Sequence, residues 1–456
     1  MNAVLALTTG PLRAPRRGSR FAPTPSALSV LAFAVTTAFG LSVVGGLLGF
    51  MGRAENPSSD LVADLAPTYV TLAWVAVVLL LVPLLSLGAA AARLGVAQRD
   101  ARLATLRLLG VTPREVVALT VIETARQGLI GAALGVVGHV LLLPVWTRIP
   151  FMDRPFTAGE LWVGWLPVGV ALLAVPLLAV VSGAISLRRV VISPLGVARR
   201  QTPPGMRWWR ALAVVVALVA FLGFMRLNLA LEEAVIIGLI LGFVAFVFGT
   251  LNLLGPWTLS VLGRIMVRRA KTPARLLAAR RLLDDPRGAW RVVGGLGLAS
   301  FVAGVLSVVP GLQALGSDDD PAGTLLLDDL VTGAILTLAI AFTVAACSAG
   351  IIQAATVLDR RREYALQQLA GVPVELFDSV RRREVAAPLL FVSLTSAAVA
   401  LVVLLPLFGM AAVTAPQGLL ALAGCLLGGC LLVLGATETS RPLLRSVLRE
   451  TVVRAD

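Results

Sequence analysis

The chain has 456 residues, of which 58% are hydrophobic and 14% charged, and it carries a net charge of +14. A soluble domain has about 25% charged residues. Here the charges are clumped between apolar runs near or beyond the ~20 residues that a helix needs to cross a bilayer, which excludes a soluble enzyme and sets the class as an all-α polytopic membrane protein.

In chain order, residues 1–26 form a cytoplasmic N-terminal segment with Arg13, Arg16, Arg17 and Arg20. The apolar run behind them is too long for the core of a cleaved signal, so it reads as a retained anchor. Hydropathy predicts ten transmembrane helices, at 27–50, 67–92, 117–145, 161–186, 211–230, 234–262, 292–313, 330–357, 385–408 and 416–437. They group as two parallel four-helix repeats joined by a two-helix linker. The first repeat is 27–190, the linker with spans five and six 191–291, the second repeat 292–440, and the cytoplasmic tail 441–456.

With the N-terminus inside, 34 of the 39 basic residues fall on the cytoplasmic side. Outside lie Arg53, Arg148, Arg154 and Arg226, together with 12 acids that include Asp318, Asp319, Asp320, Asp328 and Asp329. Both termini are therefore expected in the cytoplasm of a plasma-membrane protein. The positive charge follows from this topology. It points to membrane lipids, whose anionic headgroups a basic inner face attracts, and to no nucleic-acid partner. The longest outer connections, 51–66 and 314–329, leave no room for an outer domain and contain the turn-forming stretches Pro57-Ser58-Ser59 and Ser317 to Pro321. The linker's basic stretches contain Pro194, Pro203, Pro204 and Gly205, then Pro273, Pro286 and Gly288, which read as helix breakers.

A segment occurs twice. Residues 99–128 align without gaps on 360–389, with identities at Arg99/Arg360, Ala104/Ala365, Leu108/Leu369, Gly110/Gly371, Val111/Val372, Glu123/Glu384 and Ala125/Ala386. Each copy leaves an apolar run, is rich in Arg, breaks at Gly-Val and re-enters the membrane at a Glu, the mark of two homologous halves. Leu103, Leu106, Leu109 and Val111 recur at near-helical spacing between Arg99, Arg102 and Arg107. Gly110 closes that helix and Thr112-Pro113 opens the next. In the second copy Tyr364, Leu366 and Leu369 precede Gly371-Val372-Pro373. Each copy is predicted to be a cytoplasmic helix–turn–helix elbow joining two spans.

Glu123 and Glu384 stand about one turn into the following spans, where a carboxylate needs a partner or water. Arg126, and Arg381 with Arg383, are placed to form interfacial ion pairs with them. His139, the only histidine, lies deep in the third span without companions, so it reads as a hydrogen-bonded packing residue and no metal site is expected. Cys347, Cys425 and Cys430 fall in spans and read as small buried residues. Gly131/Gly135, Gly238/Gly242 and Gly424/Gly428 are GxxxG pairs suited to close helix approach. There is no phosphate-binding GxxxxGK[ST] loop, no nucleophile–base set and no mid-span acid of the kind an ion-coupled carrier uses.

These residues resemble the FtsX-like permease domain of ABC transporters, in the class that includes the MacB-type exporters. The family pattern is an Arg-rich stretch running into "A-L-L-R-x-L-G-A/V", then a Glu leading a glycine ladder into the next span. The first copy offers Arg107-Leu108-Leu109-Gly110-Val111, then Glu123 with Gly128, Gly131 and Gly135. The second offers Arg360-Arg361-Arg362-Glu363-Tyr364-Ala365-Leu366, then Leu369-Ala370-Gly371-Val372 and Glu384. Arg102 stands opposite Glu363, and Pro388 replaces the ladder in the second copy.

The resemblance implies a non-catalytic permease subunit without a cofactor of its own. ATP and Mg would sit on a separate cytoplasmic ABC ATPase dimer docked on the elbows, and an accessory or sensor membrane protein is a further expected partner. The implied coupling residues are Arg99, Arg102, Arg107, Leu109, Gly110 and Pro113 in the first elbow, and Arg360, Arg362, Glu363, Leu369, Gly371 and Pro373 in the second. The expected work is export or mechanical displacement of a lipid, lipopeptide, peptide or drug. The alternatives are an ion-coupled secondary carrier and a non-transporting scaffold that regulates a cell-wall hydrolase.

Overall fold

The computed structural model describes residues 25–97, 113–191, 233–309, 321–413, 415–438 and 440–441, with Gly223. In chain order they form α1 (Pro25–Glu55), α2 (Asp60–Ala97), α3 (Pro113–Trp146), a hairpin of β1 (Pro150–Phe151) and β2 (Arg154–Pro155), α4 (Ala158–Leu161), α5 (Trp165–Val191) and α6 (Glu233–Arg268). They continue with α7 (Pro273–Asp284), α8 (Pro286–Leu306), α9 (Pro321–Asp359), α10 (Arg361–Leu369), α11 (Val374–Val413) and α12 (Pro416–Glu438). Eight of the described helices are long and apolar enough to cross a membrane. They coincide with predicted spans one to four and seven to ten. The sixth predicted span lies within the continuous helix α6, and the fifth, 211–230, lies outside the described residues.

Each half is built on the same pairings. In the first, α1 packs on α2 and α3, and α5 packs on α3 and α2. In the second, α8 packs on α9 and α11, and α12 packs on α11 and α9. The core of the second half is α8, whose membrane window is 72% buried, whereas the window ending in α5 is 17% buried and turns its leucines outward. The halves meet where α9 lies against α2 and α1. At 1.5 Å per residue the 39-residue α9 is about 58 Å long, well beyond the hydrocarbon thickness of ~30 Å.

Glycines set the closest approaches. A Cβ at Gly131 would lie 2.9 Å from the Val30 carbonyl oxygen, and one at Gly135 would lie 2.7 Å from that of Ala34, so α3 meets α1 almost backbone to backbone. In the second half the glycines are on the other partner. Gly297 and Gly304 of α8 face Val392, Ser396, Ala397 and Ala400 of α11. Gly424 and Gly428 meet no neighbour within 4 Å; on α12 it is Gly429 that packs, against the Phe342 ring. A GxxxG spacing therefore marked the tight face in α3 and the wrong face in α12.

The connections are tighter than hydropathy implies, because a helix tolerates charged residues in its terminal turns. The connection predicted at 51–66 shrinks to residues 56–59, and Asp328 and Asp329 lie inside α9. Pro273 and Pro286 start helices: Thr272 caps α7 by accepting from Arg275 N–H, and Asp285 caps α8 by accepting from Gly288 N–H. The two-stranded hairpin turns at Met152 and Asp153, both at positive φ (54° and 63°), as a two-residue hairpin turn requires.

Candidate functional site

The second elbow is helix α10, a turn and the start of α11. The amides of Gly371 and Val372 donate to the Gln368 and Gln367 carbonyls at 2.9 and 3.1 Å. With Gly371 at φ +83°, this is a Schellman cap that reverses the chain within three residues. Pro373 then precedes α11. Tyr364 faces inward, 3% exposed and edge-on to Phe377 at 5.6 Å, and burial pushes its hydroxyl pKa up. Leu366 and Leu369 point the other way, 60% and 71% exposed, with Glu363 and Pro373 also exposed.

A cationic bridge anchors this elbow. Arg360 Nη1 donates to Glu384 Oε1 at 3.0 Å, and Arg281 Nη1 from α7 approaches Glu384 Oε2 at 3.5 Å. Arg281 also lies over the Tyr364 ring, 5.4 Å from its centroid. Burial alone would lower the Arg360 pKa, but the Glu384 carboxylate beside it raises it on balance. The expected pairing of Glu384 with Arg381 and Arg383 does not occur. Arg381 is buried and donates to Thr437 O, Ser440 Oγ and Glu438, while Arg383 donates to Thr272. Residues 381 and 383 are on other faces of α11, and the linker supplies the second cation instead.

Of the predicted first-elbow residues, Arg99, Arg102, Arg107, Leu109 and Gly110 lie outside the described residues. Pro113 is the first residue of α3, and Glu123 is half-buried near the start of its membrane window. The Arg362 side chain also lies outside the described residues.

At the opposite end of the helices is a second polar assembly that the sequence reading missed. Arg53, 2% exposed, pairs with Glu160 at 3.1 Å, donates to the carbonyls of Phe151, Arg154 and Pro155, and stacks on Phe156 at 3.7 Å. Asp329 accepts from Tyr69 Oη at 2.6 Å and from Met152 N–H at 2.7 Å, tying α9 to α2 and the hairpin. Beneath this lid lies an apolar cavity of about 180 Å³ between the halves, walled by Leu47, Leu72, Leu79, Leu306, Leu336 and Ile340. The available signal for Arg53 was its place among four basic residues on the acid-rich side.

His139 is 1% exposed, with Nδ1 3.1 Å from Ser42 Oγ and its ring stacked on Trp162 at 6.2 Å, the packing role expected of it. Cys347, Cys425 and Cys430 are unpaired thiols.

Residues 73–195 match the family model of the FtsX-like permease C-terminal domain. This segment is similar to the FtsX-like permease domain. It runs from the middle of α2 through α3, the hairpin and α5, so the hairpin and Glu160 of the lid belong to it. No curated protein matches the chain, and no solved structure does. The match supports an ABC transporter permease-type, multi-pass membrane protein, and FtsX-like permeases are in general non-catalytic membrane subunits.

Proposed function

We propose that the chain is the membrane subunit of an ABC transporter. A separate cytoplasmic ATPase dimer, carrying ATP and Mg, docks one subunit on each elbow. Its closure moves α9 and α11 together with α2 and α3, and this motion displaces a hydrophobic or amphipathic substrate at the outer face. The observation that carries the reading is the two-sidedness of α10. One face is fixed by Tyr364 and the Arg281–Glu384–Arg360 bridge, while the other offers Leu366 and Leu369 to a partner. An anchored lever with an exposed apolar handle transmits an applied force, whereas a flexible loop would absorb it. The apolar cavity lies where the halves meet, so a change in their relative tilt alters its volume; its leucine walls suit an acyl or other apolar group.

The test is Leu366→Glu with Leu369→Glu in the full chain. The charged pair is expected to abolish ATPase association while leaving the purified permease folded. ATPase turnover that remains permease-stimulated in the double variant contradicts the coupling role of this elbow.

A further inference from the structure

A second cavity, of about 300 Å³, opens between the linker helices and the second half, beside the anchored elbow. That volume lies in the range of small-molecule sites, about 300–1,000 Å³. Its depth is that of the membrane interface. It is lined by Ala90, Gly288 and Thr356, and the membrane windows of α2, α8 and α9 terminate at Ala91, Pro286 and Val357.

The charged groups on its wall are Arg281, Arg291, Arg360, Asp285 and Glu384, three cations against two carboxylates. Arg281 is 8% exposed and bonds to the Tyr364 hydroxyl, while its contacts to Glu384 and Gln367 are both 3.5 Å long, far from the 2.7–2.9 Å of a formed charge-assisted bond. Arg291 Nε donates to the Arg287 carbonyl at 3.3 Å, and its Nη2 reaches Asp285 only at 3.6 Å. Gln353, 5% exposed, lines the same cavity and offers it an amide. The first turn of α8 also borders the cavity and adds the positive end of its dipole. The deeper wall is apolar, with Val292, Val293 and Ile352.

We propose that this cavity binds a phosphate group, supplied by an anionic glycerophospholipid of the adjacent leaflet. Arg281, Arg291 and Gln353 donate to the phosphate oxygens, and the apolar wall takes the first carbons of the acyl chains. The bound headgroup fills the space beside Glu384 and Arg360, so it braces the junction between linker and elbow.

The test is thermal unfolding of the purified full chain in mixed micelles, followed by tryptophan fluorescence, with phosphatidylglycerol, phosphatidylcholine or inorganic phosphate added. Phosphatidylglycerol is expected to raise the transition temperature in a saturable way, with phosphatidylcholine inert. Arg291→Gln and Gln353→Leu are each expected to weaken the apparent affinity about tenfold, the size of one lost hydrogen bond to a charged group. Arg291 is half-exposed at the rim, so its variant keeps the test open if changes at Arg281 or Gln353 prevent folding. A shift of equal size with inorganic phosphate alone supports the site and overturns its assignment to lipid. Equal shifts with both lipids, or a phosphatidylglycerol response unchanged in both variants, overturn the proposal.

Discussion

At the residue scale, the polar side chains that matter are those placed where water is scarce. Arg53 is buried under the lid with its guanidinium divided among Glu160 and three carbonyls. Arg53→Met leaves those acceptors unpaired and is expected to destabilise the chain by about 3 kcal/mol, the lower end for breaking a buried pair, since Glu160 keeps some contact with solvent. Thermal unfolding of the purified protein reads this directly, and a variant as stable as the parent would refute it. Asp329 gives a sharper comparison. Asn at this position still accepts from Tyr69 and Met152, whereas Ala accepts from neither. Asp329→Ala is expected to cost about 3 kcal/mol and Asp329→Asn much less; equal losses would mean that charge, and not hydrogen bonding, holds the lid. Neither residue was legible as a site beforehand. Asp329 was one of five acids assigned to a loop, and Arg281 one of many cations in the linker, because pairing across the fold leaves no local mark in a sequence. Glu384 was legible as a costly carboxylate, but its partners were not, since its neighbours in sequence point elsewhere.

At the element scale, the spans were legible because twenty apolar residues have few alternatives to a membrane helix. Connections were less so: hydropathy sees charges in the terminal turns of α9 and assigns a loop, whereas a helix accepts them. The second elbow's turn at Gly371 was readable from its Gly-Val-Pro, and the structure gives it φ +83°. Any residue with a Cβ there pays roughly 1–2 kcal/mol. Gly371→Ala is therefore expected to loosen the elbow and lower permease-stimulated ATPase activity, with Gly371→Pro abolishing it; full stimulation in the proline variant would remove the turn from the mechanism. The missing glycine ladder of the second copy has a packing explanation. In the first half the small residues are Gly131 and Gly135 on α3, facing α1. In the second, the residues aligned with these, Val392 and Ser396, are larger, and the partner helix supplies Gly297 and Gly304. Gly135→Val and Gly304→Leu are accordingly expected to cause similar losses, about 1–3 kcal/mol for an overpacked contact, while Gly424→Leu changes stability little because that glycine meets nothing. Differential unfolding of the three variants checks the ranking.

At the scale of the whole molecule, two four-helix units with matching pairings meet along α9 and α2, with an anchored elbow at one end of the interface and a lidded apolar cavity at the other. Force entering at α10 has a continuous helical route to the lid: α9 is unbroken from the elbow to Asp329. The general class was visible from composition and the doubled segment, and the match to an FtsX-like domain in the first half supports the permease type. The cavity was not visible, because its walls are ordinary leucines drawn from four different helices. The most direct test is affinity purification of the tagged chain from its native membrane, with identification of the proteins that accompany it. A stoichiometric ABC ATPase that is lost with Leu366→Glu and Leu369→Glu is the predicted result. A folded permease isolated without any ATPase, or accompanied by a cell-wall hydrolase in its place, would contradict the transporter reading.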